Sequence, residues 1–117
     1  MRIPFSLLIL FACTPAFAGG DAANGATLYA SRCIGCHSID ANRVGPAHRG
    51  VFGRKAGSVA DYAYSPALRK SKVVWGDKTL EQWLANPEKL IPGQKMAYSV
   101  PNAQDRADLI AYLKTQK

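Results

Sequence analysis

The chain has 117 residues, with 15 Lys and Arg against 8 Asp and Glu, a formal charge of +7, and three cysteines. That length holds one small domain and no second one of ordinary size. The basic residues are scattered in ones and twos between Arg32 and Lys117 with no long basic run, which makes nucleic acid a poor candidate and leaves anionic lipid or acidic protein surfaces as partners of the charge.

At the N-terminus Met1-Arg2 carries a positive charge, and the almost wholly apolar run from Ile3 to Phe17 ends in Ala16-Phe17-Ala18. This is the pattern of a secretory signal, since the apolar stretch is too short to span a bilayer and small residues occupy the cleavage positions. Cleavage after Ala18 makes Gly19 the mature N-terminus and leaves a single domain, 19–117, of charge +6 because only Arg2 is lost. Leu10-Phe11-Ala12-Cys13 looks like a lipoprotein processing site, where Cys13 would retain a lipid anchor. The apolar run ahead of it is very short and Phe11 is bulky for that recognition. Cys13 is therefore expected to leave with the leader, giving a periplasmic product without stable membrane insertion.

In the mature chain Asp21 is the expected N-cap of a helix running to about Arg32. Gly25 and Tyr29 lie four apart on one face, so the glycine admits a second helix at close range. Cys33-Ile34-Gly35-Cys36-His37 follows, a C-x-x-C-H run of the kind that attaches c-type haem. Two thiols three residues apart each add across one vinyl group, and the adjacent imidazole turns back to bind the iron. A thioredoxin-like dithiol would ask for strand-helix-strand surroundings. A zinc site would ask for four ligands, usually a second C-x-x-C, which the chain lacks.

From His37 to Tyr64 the chain is glycine-rich and reads as loop wrapped around something. Ser65-Pro66 opens a short helix through about Lys70. A third helix, from about Lys78 to Ala85, carries Leu80, Trp83 and Leu84 on one face and stops at Asn86-Pro87. The last helix begins at Asn102 with Asp105 in its first turn. Arg106, Leu109, Ile110 and Leu113 recur along one stripe of it. No strand pattern, repeat or interdomain linker is visible.

Between the last two helices Ile91-Pro92-Gly93-Gln94-Lys95-Met96 forms a turn presenting the only methionine outside the leader. A thioether on the far side of the ring from His37 would favour Fe(II) and raise the potential, whereas most methionines merely fill core. A domain this small buries too little to be comfortably stable alone, so the cofactor is expected to be structural as well.

With these motifs in this order, the chain resembles a class I cytochrome c of the small mitochondrial and bacterial type, over about Gly20 to Thr115. The match includes Gly25 and Tyr29, the C-x-x-C-H run, Gly45-Pro46, Gly50-x-Phe52-Gly53-Arg54-Lys55, Tyr62-x-Tyr64, Trp75-Gly76, Asn86-Pro87, Ile91-Pro92-Gly93-x-Lys95-Met96 and Arg106 to Leu113. It implies an all-α fold of four or five short helices and long loops around one covalent haem c. It also implies thioethers from Cys33 and Cys36, and axial ligands His37 and Met96. The Pro46 carbonyl would accept a hydrogen bond from His37 and fix its tautomer. Arg54, Tyr64 and Trp75 would surround a buried propionate, which needs a cation or strong donors.

Two positions depart from the family pattern. His48 stands where an apolar residue, often Leu, is usual; as a rival axial ligand it lies eleven residues after His37 on the same side and is badly placed to reach the distal face, so it is expected to be hydrogen-bonded or turned outward. Trp83 stands where a Tyr beside the methionine is usual, leaving the iron–sulfur bond strength open.

The function implied is one-electron carriage by a monomer, not enzymic turnover. Its partners would be acidic surfaces of a membrane oxidoreductase, oxidase or reaction centre. They would dock on the haem edge near Cys33 and Cys36, where the chain offers Arg32, Lys89 and Lys95, with Glu88 interrupting the basic ring. The competing reading, binding or activation of carbon monoxide, nitric oxide or peroxide, requires a labile sixth position. No distal His or Arg cluster supports it. An electron-donating subunit of one enzyme is a third reading.

Overall fold

The computed structural model describes residues 9, 12 and 19–117; the expected leader, apart from those two positions, and Cys13 lie outside the described residues. Five helices follow one another: α1 (Ala22–Arg32), α2 (Pro66–Lys70), α3 (Asp77–Ala85), α4 (Pro87–Leu90) and α5 (Ala103–Thr115). Four of them begin where a side chain satisfies the otherwise orphaned first N–H groups, while at α3 the Thr79 hydroxyl instead accepts from the N–H of its N-cap, Gly76, at 2.8 Å. An Asp21 carboxylate oxygen accepts from Ala23 and Asn24 at 2.9 and 3.1 Å, and Ser65 Oγ accepts from Leu68 N–H at 3.1 Å. Asn102 Oδ1 accepts from Asp105 N–H at 3.0 Å. These three starts fall where the sequence places them, and α3 starts one residue earlier than expected.

The one-turn helix α4 is an addition to the sequence reading. Asn86, at φ −161°, is extended; it ends α3, and its side chain then accepts from Lys89 N–H at 3.2 Å to start α4. Four residues are too few to show a helical period, so only the stop was legible.

The α1 and α5 helices pack against each other, α5 also meets α3, and α3 meets α4. Gly25 is the point of closest approach: a Cβ there would fall inside the Asp108 backbone carbonyl. Gly25→Ala is expected to lower the stability of the loaded protein by about 1–3 kcal/mol, the usual cost of forcing atoms into a packed interface. Thermal unfolding checks this, and an unchanged Tm would refute the close contact.

Leu109, Ile110 and Leu113 are buried along the expected stripe of α5, joined by Val100, Leu80 and Tyr29. Asp108, also buried, was not anticipated. Its carboxylate accepts from Asp21 N–H at 2.8 Å, Asn24 Nδ2 at 2.6 Å and Gln104 Nε2 at 2.9 Å, tying α5 to the start of α1. Those donors, led by the Asp21 amide, hold its pKa below the ordinary carboxylate value. A depressed folded pKa gives stability that is present above the unfolded value, about 3.9, and is lost as pH falls through the folded one. The stability gap between wild type and Asp108→Asn should therefore be wide at neutral pH and close below about pH 4. Denaturant titrations at several pH values measure it, and a constant gap would sink the account.

The long segment 38–64 is held by scattered bonds. Lys55 and Val74 form a single antiparallel bridge, Gly53 N–H donates to the Trp75 carbonyl at 2.7 Å, and Trp75 N–H donates to the Arg54 carbonyl at 2.9 Å. No longer strand occurs among the described residues, and none of their helices is long and apolar enough to cross a membrane.

Candidate haem-attachment site

The C-cap of α1 is Cys33, and the chain then turns at once: Cys36 and His37 N–H both donate to the Cys33 carbonyl, at 3.1 and 2.9 Å. Both cysteines are unpaired; Cys36 is exposed and Cys33 half-buried. Burial pushes the Cys33 thiol up to about 11, with Arg32 opposing and Cys36 adding to the rise. Thiol–disulfide exchange needs a thiolate near neutral pH, and burial works against one at Cys33.

His37 is held by its surroundings at one nitrogen. Nδ1 lies 2.9 Å from the Pro46 carbonyl oxygen, which makes Nδ1 the protonated nitrogen and leaves Nε2 as the basic one. Gly45 crowds the same ring so closely that a Cβ would overlap its Cε1, Nδ1 and Nε2 atoms. Desolvation lowers the His37 pKa, against the Pro46 bond, so the ring is kept in the neutral form able to bind a metal. Around this turn Gly45 N–H donates to the Cys36 carbonyl at 2.8 Å, and the Arg43 guanidinium donates to the carbonyls of Ile34 and His37.

His48 turns inward. Its ring stacks on His37, centroids 4.0 Å apart and planes 21° from parallel, and its Nδ1 lies 2.9 Å from the Tyr29 hydroxyl. Desolvation, then the neighbouring His37 and Arg54, lower its pKa to about 3, so it is neutral at working pH. The departure at position 48 was readable in the sequence; its partners were not.

Met96 stands apart from this cluster, half-buried on the wall of an open depression of about 330 Å³ that Glu88, Gln94 and Tyr98 also line. The loop before it is clasped by Glu88, whose carboxylate accepts from Gly93 N–H at 2.9 Å and from Gln94 Nε2 at 3.0 Å. Gly93 sits at φ +89°, a conformation glycine takes without strain. Glu88, read from the sequence only as a gap in the basic ring, thus has a local structural task.

The remaining predicted residues surround the same loop system. Trp75 is buried and packs on Trp83 at 5.2 Å. The Tyr64 hydroxyl accepts from Val59 N–H at 3.0 Å. The Arg54 guanidinium donates to the Ala47 and Arg49 carbonyls at 3.0 and 3.1 Å, and burial lowers its pKa. Lys89 and Lys95 are exposed, while Arg32 pairs with Asp105 at 3.3 Å. Ile34 and Val44, 50% and 73% exposed, place apolar surface beside the cysteines.

Among the described residues no three His, Cys, Asp or Glu side chains gather to hold a free metal ion. Two free thiols beside an imidazole with one nitrogen tied and the other basic fit a ligand that reacts with sulfur twice and offers a metal once. A porphyrin with two vinyl groups and an iron meets all three demands. The fold and this turn therefore define an all-helical haem-attachment domain. The family model for cytochrome c matches residues 22–117, and the chain belongs to the cytochrome c family.

It is 48% identical over 101 residues to a cytochrome c of Gibberella zeae, covering 83% of this chain and 95% of that one. To a cytochrome c of Arabidopsis thaliana it is 46% identical, covering 83% and 90%. Among solved structures it is similar to cytochrome cH from Methylobacterium extorquens, with a TM-score of 0.78 and 48% identity over 82% of this chain and 99% of that one. With the family come its cofactor, one covalently attached c-type haem, and its role as an electron carrier and not an enzyme.

Proposed function

We propose that the mature chain, residues 19–117, is an exported, monomeric one-electron carrier whose haem is anchored by Cys33 and Cys36 and ligated axially by His37 and Met96. The observation that carries this is the Nδ1 bond of His37 to Pro46, which orients the ring and makes Nε2 the better donor. The bound iron supplies a one-electron couple. The protein's part is to fill both axial positions, exclude water and hold the surroundings fixed as charge changes. Arg54, Tyr64 and Trp75 would serve the haem propionates. The support is chemical: a guanidinium, a phenol and an indole are the donors a desolvated carboxylate needs.

Export to the periplasm rests on the Met1 to Ala18 pattern. Docking would use the exposed edge at Cys36, with Lys89 and Lys95 steering acidic redox partners and Ile34 and Val44 supplying apolar contact. Arg32 contributes less, because Asp105 partly neutralises it. Reduction by such a partner should slow as salt rises from low to physiological ionic strength, since exposed charges more than about 10 Å apart are screened there. A rate independent of salt would reject this docking mode.

The reading is tested by the optical spectrum of the dithionite-reduced, haem-loaded protein before and after carbon monoxide is added. An unchanged Soret band means a closed, six-coordinate iron and a carrier. A shifted band means an open or labile sixth position and favours small-ligand binding.

A further inference from the structure

We propose that His48 is a positioning residue which, anchored by Tyr29, sets the plane of the His37 imidazole. This rests on His37 being the axial ligand. One hydrogen bond from Nδ1 to Pro46 fixes where that nitrogen points, and the Gly45 backbone limits the ring locally, yet neither sets the ring plane as a flat partner would, because the terminal torsion of a histidine is broad. A flat surface against the ring face removes that freedom, and the His48 ring supplies it at 4.0 Å and 21°.

His48 is itself held twice. Its backbone N–H donates to the Ser38 carbonyl at 3.0 Å, and its Nδ1 meets the Tyr29 hydroxyl at 2.9 Å. Tyr29 belongs to α1, presents its ring to His48 at 65°, and packs on Tyr112 of α5 at 5.2 Å. The orientation of the ligand ring is thereby referred to the α1–α5 pair, the most extensive helix–helix contact among the described residues. An aliphatic side chain at position 48 would fill the volume without offering a fixed plane, because nothing would hold it by a directional bond.

The plane of an axial imidazole, together with the lone-pair direction of a methionine ligand, splits the two iron π orbitals of ferric haem, so with Met96 unchanged a turn of that plane alters the order and spread of the four haem-methyl proton shifts. The experiment is proton NMR of the oxidised, haem-loaded wild type, His48→Leu, Tyr29→Phe and the double variant, with thermal unfolding alongside. The expected result is a changed methyl pattern in His48→Leu. Tyr29→Phe should give a smaller change in the same direction, and the double variant should match His48→Leu because the hydroxyl acts through His48.

Should His48→Leu fail to take up haem, Tyr29→Phe alone carries the test, with His48→Phe, which keeps a flat face, expected to stay nearer the wild-type pattern. Methyl shifts unchanged in every variant, even with lowered thermal stability, would show a merely structural contact and overturn the proposal. Independent, additive shifts in the double variant would also overturn it. Wild-type spectra lacking strongly shifted His37 ring protons would overturn the ligation itself, a failure distinct from unchanged variants in which those protons are seen.

Discussion

Replacing Met96 with Ala should let the reduced, haem-loaded protein take up carbon monoxide, and should lower its midpoint potential. Axial ligands move haem potentials over about 0.8 V, and losing the soft thioether should cost a sizeable part of that range. A thioether stabilises Fe(II) over Fe(III), so its loss shifts the couple toward the oxidised form. The loop that carries Met96 is built to hold it: Ile91 is buried, Gly93 makes the turn at φ +89°, and Glu88 clasps the two residues after Pro92. An alanine leaves that loop the Glu88 hydrogen bonds and removes the thioether arm beyond Cβ. Redox titration and the carbon monoxide spectrum read the two effects. An unaltered potential and a closed iron in Met96→Ala would make Met96 a core filler.

The second large effect concerns the haem-free chain, prepared as Cys33→Ala with Cys36→Ala or in cells without haem-attachment machinery. It should lose its native near-ultraviolet dichroism and most of its helical signal. The helices have 11, 5, 9, 4 and 13 residues, and isolated helices shorter than roughly 12–15 residues are marginal in water. Among the described residues α1, α3, α4 and α5 pack backbone to backbone on other helices, while α2 joins the core through the Leu68 side chain. Segment 38–64 is fastened by isolated turns, scattered side-chain bonds and one bridge, with no continuous secondary structure, so much of its order depends on what it encloses. A domain of this size buries too small a share of its surface to offset the entropy of ordering so much loop. Native-like near-ultraviolet dichroism from haem-free protein would defeat this expectation. Residual helix confined to α1 and α5 would agree with it, since their contact at Gly25 is formed by the chain alone.

Local chemistry was legible wherever one residue type answers one need. Asp21, Ser65 and Asn102 cap helices because a short side-chain oxygen reaches the free N–H groups of the next turn. The stripe Leu109, Ile110 and Leu113 shows its period over enough residues to be read. By contrast α4 is shorter than any period, and the Lys55–Val74 bridge pairs residues nineteen apart with no strand pattern on either side.

The sequence by itself determined the helical class and the covalent haem cofactor, and offered the C-x-x-C-H run and Met96 as candidates to hold it. These follow from bonding capacities and spacings that act within a few residues. Only the tertiary structure decided that Asp108 fastens α5 to α1, that Glu88 clasps the loop before Met96, and that His48 lies face to face with His37 under the Tyr29 hydroxyl. In each case a polar side chain had several possible fates in sequence, and the partner that satisfied it was brought near by the folding of distant segments. Burial makes an unpaired polar group costly, so it is the fold that selects which of those partners is used.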